Sequence, residues 1–269
     1  MTIPDSDSGR PEESAFERLR ELHERYEPLR PELQQHLEQT RFGYFLIRHP
    51  FCNQTIIDLE RCAMVHHIID KHTAKADACF EAQDWEGYLG CVEIYSQPKW
   101  LAKDAHLLPD ERYWALLGQA YRHQKFTYGY RDLFESLFSS NRPGRENLME
   151  PDERALLARF PDKVTVFRGF WDDEHDEDFS DGNAWTLDRR AAVWFANRCW
   201  TKEHGHPMVV EGVVKKDDIL AFWPSDDVVV PFNVVRPVKF KHAGSKRARV
   251  SWDKYISPPF DVEEIMKKA

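Results

Sequence analysis

Four short segments in the second half of the chain carry residue types with chemical reach. Val166-Phe167-Arg168-Gly169 puts an arginine and a glycine at the end of an apolar stretch. Ala184-Trp185-Thr186 follows about sixteen residues after Arg168 and leads into Ala192-Val193-Trp194-Phe195-Ala196. Then come Val209 to Phe222, which includes Asp218-Ile219-Leu220-Ala221-Phe222, and finally Asp226-Asp227-Val228-Val229-Val230. An arginine fork grips phosphate oxygens at two points where a lysine is only a point charge. A carboxylate fixed beside a developing cation stabilises it. Each segment also has a plain structural reading. Arg168 can be a strand-end arginine paired with an acid, Asp227 a charge that guards a strand edge, and the Trp194-Phe195 helix ordinary core.

The elements that must hold these residues differ between the two halves. After Pro161 the texture is that of strands: Val164 to Arg168, ended by Gly169; Ala184 to Thr186; Met208 to Val214; Ile219 to Trp223; Val228 to Val235; Val238 to His242. Arg247 to Trp252 is a further strand candidate. Asp188 caps one internal helix with Ala191, Ala192, Trp194, Phe195 and Ala196 as its apolar positions. From Ser14 to about Phe160 the period is helical throughout. Ser14 with Glu17 reads as a capping box, Pro31 as a first-turn proline, and Ala63, His66 and Ile69 as one helical face. Asp84-Trp85, Pro109-Asp110-Glu111 and Pro151-Asp152-Glu153 open three more helices. The expectation is an α+β protein, with a disordered tail at residues 1–13, an all-helical domain at 14–145 and a β-rich domain at 146–269.

Composition narrows the class. At 42% apolar and 31% charged residues, the chain reads as globular and soluble, and the net charge of −9 argues against generic nucleic-acid binding. No apolar run reaches the length of a membrane span, and the N-terminus lacks the pattern of a signal peptide. Five scattered cysteines without a CxxC point to reduced thiols in a cytoplasm rather than disulfides or zinc. His66-His67 with Asp70 and His72 matches no zinc spacing and is expected on a helix surface; no metal is implied. The acidic run Asp172 to Asp178 lacks the spacing and glycine of a calcium loop and reads as a solvated lid. There is no GxGxxG, P-loop, GxSxG or HExxH.

In this order and spacing the four segments resemble the mono-ADP-ribosyltransferase fold of the arginine–serine–glutamate class, over roughly residues 145 to 240. The helix ending Phe195-Ala196 and the Asp218-Ile219-Leu220-Ala221-Phe222 segment look like small phage and bacterial members. The resemblance implies an NAD pocket and cleavage of the nicotinamide–ribose bond. Arg168 would grip the pyrophosphate, and Gly169 would let the dinucleotide approach the backbone. Asp227 stands where the family glutamate stands, to stabilise an oxocarbenium-like ribose. Thr186 would bond the ribose or orient that carboxylate. Trp185 or Phe195 would wall the nicotinamide. Ala184 completes the strand segment.

The sequence departs from the family pattern at three positions. Ala184 replaces the first serine, Asp227 is one methylene shorter than glutamate, and Ser225 occupies the position that marks arginine-modifying members. The resemblance implies an enzyme that transfers ADP-ribose from NAD to a macromolecular target, expected to be a protein, in the manner of phage or toxin effectors. Target recognition would fall to the helical half, and the acidic run would border the pocket mouth. A module that has kept NAD or partner binding and lost the chemistry stands as the alternative.

Overall fold

The computed structural model describes residues 15–56, 58–124, 128–172, 182–197, 205–224, 227–231 and 235–243. The chain divides into two compact units, Met1–Trp100 and Leu101–Ala269.

The first unit is not all-helical. Helix α1 (Ala15–Glu24) and a 3-10 turn at Pro31–His36 are followed by strands β1 (Leu37–Gln39), β2 (Phe45–His49) and β3 (Cys52–Ile56). These pair antiparallel in sequence order. Gly43, at φ +83°, supplies the left-handed residue that turns β1 into β2. Helices α2 (Ala63–Glu81) and α3 (Trp85–Cys91) follow, and the Asp84 carboxylate caps α3 by accepting from Gly87 N at 2.9 Å. Leu33, Ile47, Cys52, Cys62, Val65 and Ile69 form one core between sheet and helix.

His66 lies in that core at 1% exposure, not on the helix surface. Its Nε2 accepts from Arg30 N at 3.3 Å, so the ring proton sits on Nδ1, 2.6 Å from Glu27 Oε1. Arg30 in turn forks Asp70 at 2.7 and 2.8 Å. The His66 hydrogen bond, and next the Arg25 guanidinium, hold the Glu27 carboxyl below its ordinary value of 4.5. A carboxyl depressed on folding stabilises the fold above its unfolded pKa and loses that contribution as pH falls through the folded value. In urea unfolding followed across pH, Glu27→Gln is therefore expected to flatten the loss of stability below about pH 4.5. A variant with the wild-type slope would show that Glu27 titrates alike in both states.

Helix α4 (Gln97–Asp104) spans the division between the units. The second unit continues with α5 (Asp110–His123), α6 (Arg131–Phe138) and α7 (Pro151–Ala158). Strand β4 (Lys163–Asp172), β5 (Ala184–Trp185), helix α8 (Arg189–Asn197), β6 (His206–Lys215), β7 (Ala221–Trp223), β8 (Asp227–Val229) and β9 (Arg236–His242) follow. One antiparallel sheet runs β4-β6-β9 and another β5-β8-β7. They meet where Phe167 and Thr186 exchange both backbone hydrogen bonds at 2.8 Å.

The expected boundary at 145/146 falls inside this unit, because α5 and α7 pack on the sheets. Tyr121 stacks on Trp223 with ring centroids 5.6 Å apart, and Phe160 meets Phe222 at 4.8 Å. The Phe222 amide donates to Met149 Sδ at 3.2 Å. α7 opens with the reciprocal Glu150–Glu153 capping box, and Arg122 reaches Glu153 at 3.3 Å. Among the described residues no helix is long and apolar enough to cross a membrane.

Candidate functional site

Register places the motif residues on neighbouring strands. β4 pairs with β6 so that Phe167 faces Glu211, Arg168 faces Val210 and Gly169 faces Val209. β5 pairs with β8 through Ala184–Val229 and Trp185–Val228. Continuing that register by one residue sets Asp227 level with Thr186, while Thr186 bonds back to β4 at Phe167. Arg168, the Ala184–Thr186 segment and Asp227 thus lie on three successive strands, β4, β5 and β8, within strand spacings of about 5 Å. Asp227 opens β8 and pairs with Trp223; its side chain lies outside the described residues, as do Ser225, Cys199, the acidic run beyond Asp172 and the segment from 244 onward.

Arg168 is half-buried, and its Nη1 donates to the Ala184 carbonyl oxygen at 2.6 Å. Its partner at position 184 is main chain, which any residue type supplies. The guanidinium lies over Gly182: a Cβ there would fall on the guanidinium carbon and Nη2, and 2.5 Å from Nη1. The Trp185 indole N–H donates to the Gly182 carbonyl at 2.7 Å and ties that loop back onto the strand. Trp185 is 3% exposed and packs against the bare face of Gly212, so it belongs to the core.

Thr186 is 2% exposed, and its hydroxyl accepts from Asp188 N at 3.1 Å. Asp188 then caps α8, its carboxylate accepting from Arg190 N at 2.7 Å. The Thr186 side chain therefore shapes the turn that starts α8. Alternation along a strand sets Phe167 and Gly169 on one face and Arg168 on the other. The Phe167–Thr186 bridge assigns Thr186 to the Phe167 face. Arg168 and Thr186 are neighbours in the sheet but do not project side by side, and Arg168 reaches β5 by curling to the Ala184 carbonyl.

Gly169 has a different reason to be glycine from close approach of a dinucleotide. A Cβ there would land on the Ala192 carbonyl oxygen and 2.6 Å from Ala196 N, so α8 already occupies that face. Nor does Gly169 end the strand, since β4 runs on to Asp172. Ala192, Ala196, Val209 and Ala243 form the contact layer, with Phe167 and Val193 packed against it. The Trp171 indole N–H closes the layer on the Ala196 carbonyl at 2.8 Å. Phe195 is half-buried on α8 in edge contact with Trp194, ring centroids 5.0 Å apart.

Two residues that sequence reasoning passed over belong to this corner. Gly182 is the seat of Arg168, and no local pattern announces it. Asn183, 5% exposed, accepts from the Tyr121 hydroxyl at 3.3 Å, and its carbonyl accepts from Val230 N at 3.0 Å. Its Nδ2 has no hydrogen-bond partner among the described residues, and neither has Trp223 Nε1. No group of His, Cys, Asp and Glu among the described residues has metal-binding geometry. No family model, curated protein or solved structure matches the chain.

Proposed function

We propose that the second unit is an ADP-ribosyltransferase-like domain that binds NAD and transfers ADP-ribose to a protein target in a cytoplasm. The observation that carries this reading is the main-chain adjacency of Arg168, the Ala184–Thr186 segment and Asp227 on β4, β5 and β8, with one nitrogen of the Arg168 guanidinium held by the Ala184 carbonyl. A pre-set arginine holds the pyrophosphate without ordering a long side chain on binding. In the transfer, the bond between the ribose anomeric carbon and the nicotinamide nitrogen breaks, and nicotinamide leaves with the electron pair. A lone pair of the target forms the new bond to that carbon and the target loses a proton. The Asp227 carboxylate supports the cation between these events. The acidic balance of the chain, −9 overall, favours a basic protein over nucleic acid as the target.

A second reading, binding of NAD or a partner without transfer, is favoured by two observations. Ala184 brings no hydroxyl, and the Thr186 hydroxyl serves the turn into α8.

The discriminating experiment incubates the full chain with labelled NAD and a cell lysate, beside calorimetric titration with NAD. Arg168→Ala is expected to weaken NAD binding. Asp227→Ala is expected to keep binding and lose labelling, since its stabilisation is needed only as charge develops. Labelling of a discrete band that survives Asp227→Ala overturns the catalytic assignment. NAD uptake without labelling by the wild type selects the second reading, and absence of NAD uptake overturns the pocket.

A further inference from the structure

We propose that Gly182 is a positioning residue for the Arg168 guanidinium, its missing side chain being the seat in which the fork rests. The inference rests on the NAD reading only in what the fork is for. Three contacts define the seat. The guanidinium occupies the volume of a Cβ at Gly182, Nη1 donates to the Ala184 carbonyl at 2.6 Å, and the Trp185 indole N–H holds the Gly182 carbonyl at 2.7 Å. Gly182 does not adopt a left-handed φ, so an alanine there carries no backbone strain of its own. What an added methyl meets is the far end of a flexible side chain. The fold has somewhere to yield, and the yielding group is the one that would hold phosphate.

Gly169 marks the contrast. Its bare face meets helix backbone, which has nowhere to go. One glycine is there for packing; Gly182 is there for aim. Arg168 is held at position 184 by a main-chain oxygen, which alanine supplies as well as any other residue.

The test uses the full chain with Gly182→Ala and Arg168→Ala, singly and together. The readouts are thermal unfolding, calorimetric titration with NAD, and the arginine Nε–Hε resonances in 15N NMR. The Arg168 signal is the one lost in Arg168→Ala. Gly182→Ala is expected to unfold cooperatively at the wild-type temperature and to shift the Arg168 resonance. It should weaken NAD binding about tenfold, the loss expected when one charge-assisted hydrogen bond is withdrawn. In the Arg168→Ala background it should add no further loss, because the group it moves is already gone.

A Gly182→Ala protein with the wild-type Arg168 resonance and NAD affinity overturns the proposal. So does one that loses cooperative unfolding, since the clash would then lie in the framework. If the wild type takes up no NAD, the pocket reading falls, and the Arg168 resonance alone decides the seat.

Discussion

Gly169→Ala is expected to lower the unfolding free energy of the second unit by about 3 kcal/mol, at the upper end of overpacking costs. The new methyl would land on the Ala192 carbonyl oxygen and 2.6 Å from Ala196 N, both backbone atoms of α8. Neither can rotate away, so the helix must lift as a body. Lifting opens the layer of Ala192, Ala196, Val209 and Ala243 and stretches the 2.8 Å bond from Trp171 to Ala196. Urea unfolding followed by tryptophan fluorescence reads the change directly. A midpoint equal to that of the wild type would mean that α8 does not sit on β4 as closely as described. Beside Gly182→Ala, the pair separates two uses of glycine by observable: one moves the midpoint, the other an arginine resonance.

Tyr121→Ala is expected to cost about 3–5 kcal/mol, the range for emptying a buried aromatic site. Tyr121 is 2% exposed, stacks on Trp223 at 5.6 Å, and meets the edges of Phe134 at 5.0 Å and Phe138 at 5.4 Å. It thus joins α5, α6 and β7 at one point. Its hydroxyl donates to Asn183 Oδ1 at 3.3 Å, immediately before β5. Tyr121→Phe keeps the ring and removes the hydroxyl, so about 1–2 kcal/mol is expected from the lost hydrogen bond to Asn183. Denaturant midpoints of the two variants give the ring and hydroxyl contributions separately. Equal losses would place the whole effect in the hydroxyl and overturn the packing argument.

The sheet elements of the second unit were legible because their residues alternate with the pleat. Val164 and Val166 are buried on β4, and Val210, Gly212 and Val214 are buried at every second position of β6, while Val209 turns the other way, into the layer under α8. The start of α8 was legible because a cap is local: Asp188 precedes the helix it serves. β1 to β3 were missed for the opposite reason. β1 is three residues long, Leu37-Glu38-Gln39, too short to show a period. The apolar run Phe45-Leu46-Ile47 after Gly43 was the available signal, hidden within a stretch of helical spacing. Contacts distant in sequence were not legible at all. Nothing near Met149 or Phe160 announces Phe222, so the helices of the second unit looked like a separate domain. Nothing near Gly182 announces Arg168 fourteen residues before it, so the seat appears only in three dimensions. At the site the order of the motifs was readable, while the face each side chain takes depended on one bridge, Phe167 to Thr186.

That bridge and the bare glycine beside it have a mechanical consequence. Side chains are the compliant layer between a helix and a strand, and at Gly169 that layer is missing. α8 and β4 behave there as a laminate bonded without filler, and Thr186 rivets its edge to β5 through backbone hydrogen bonds at 2.8 Å. The wall that carries Arg168 is therefore stiff.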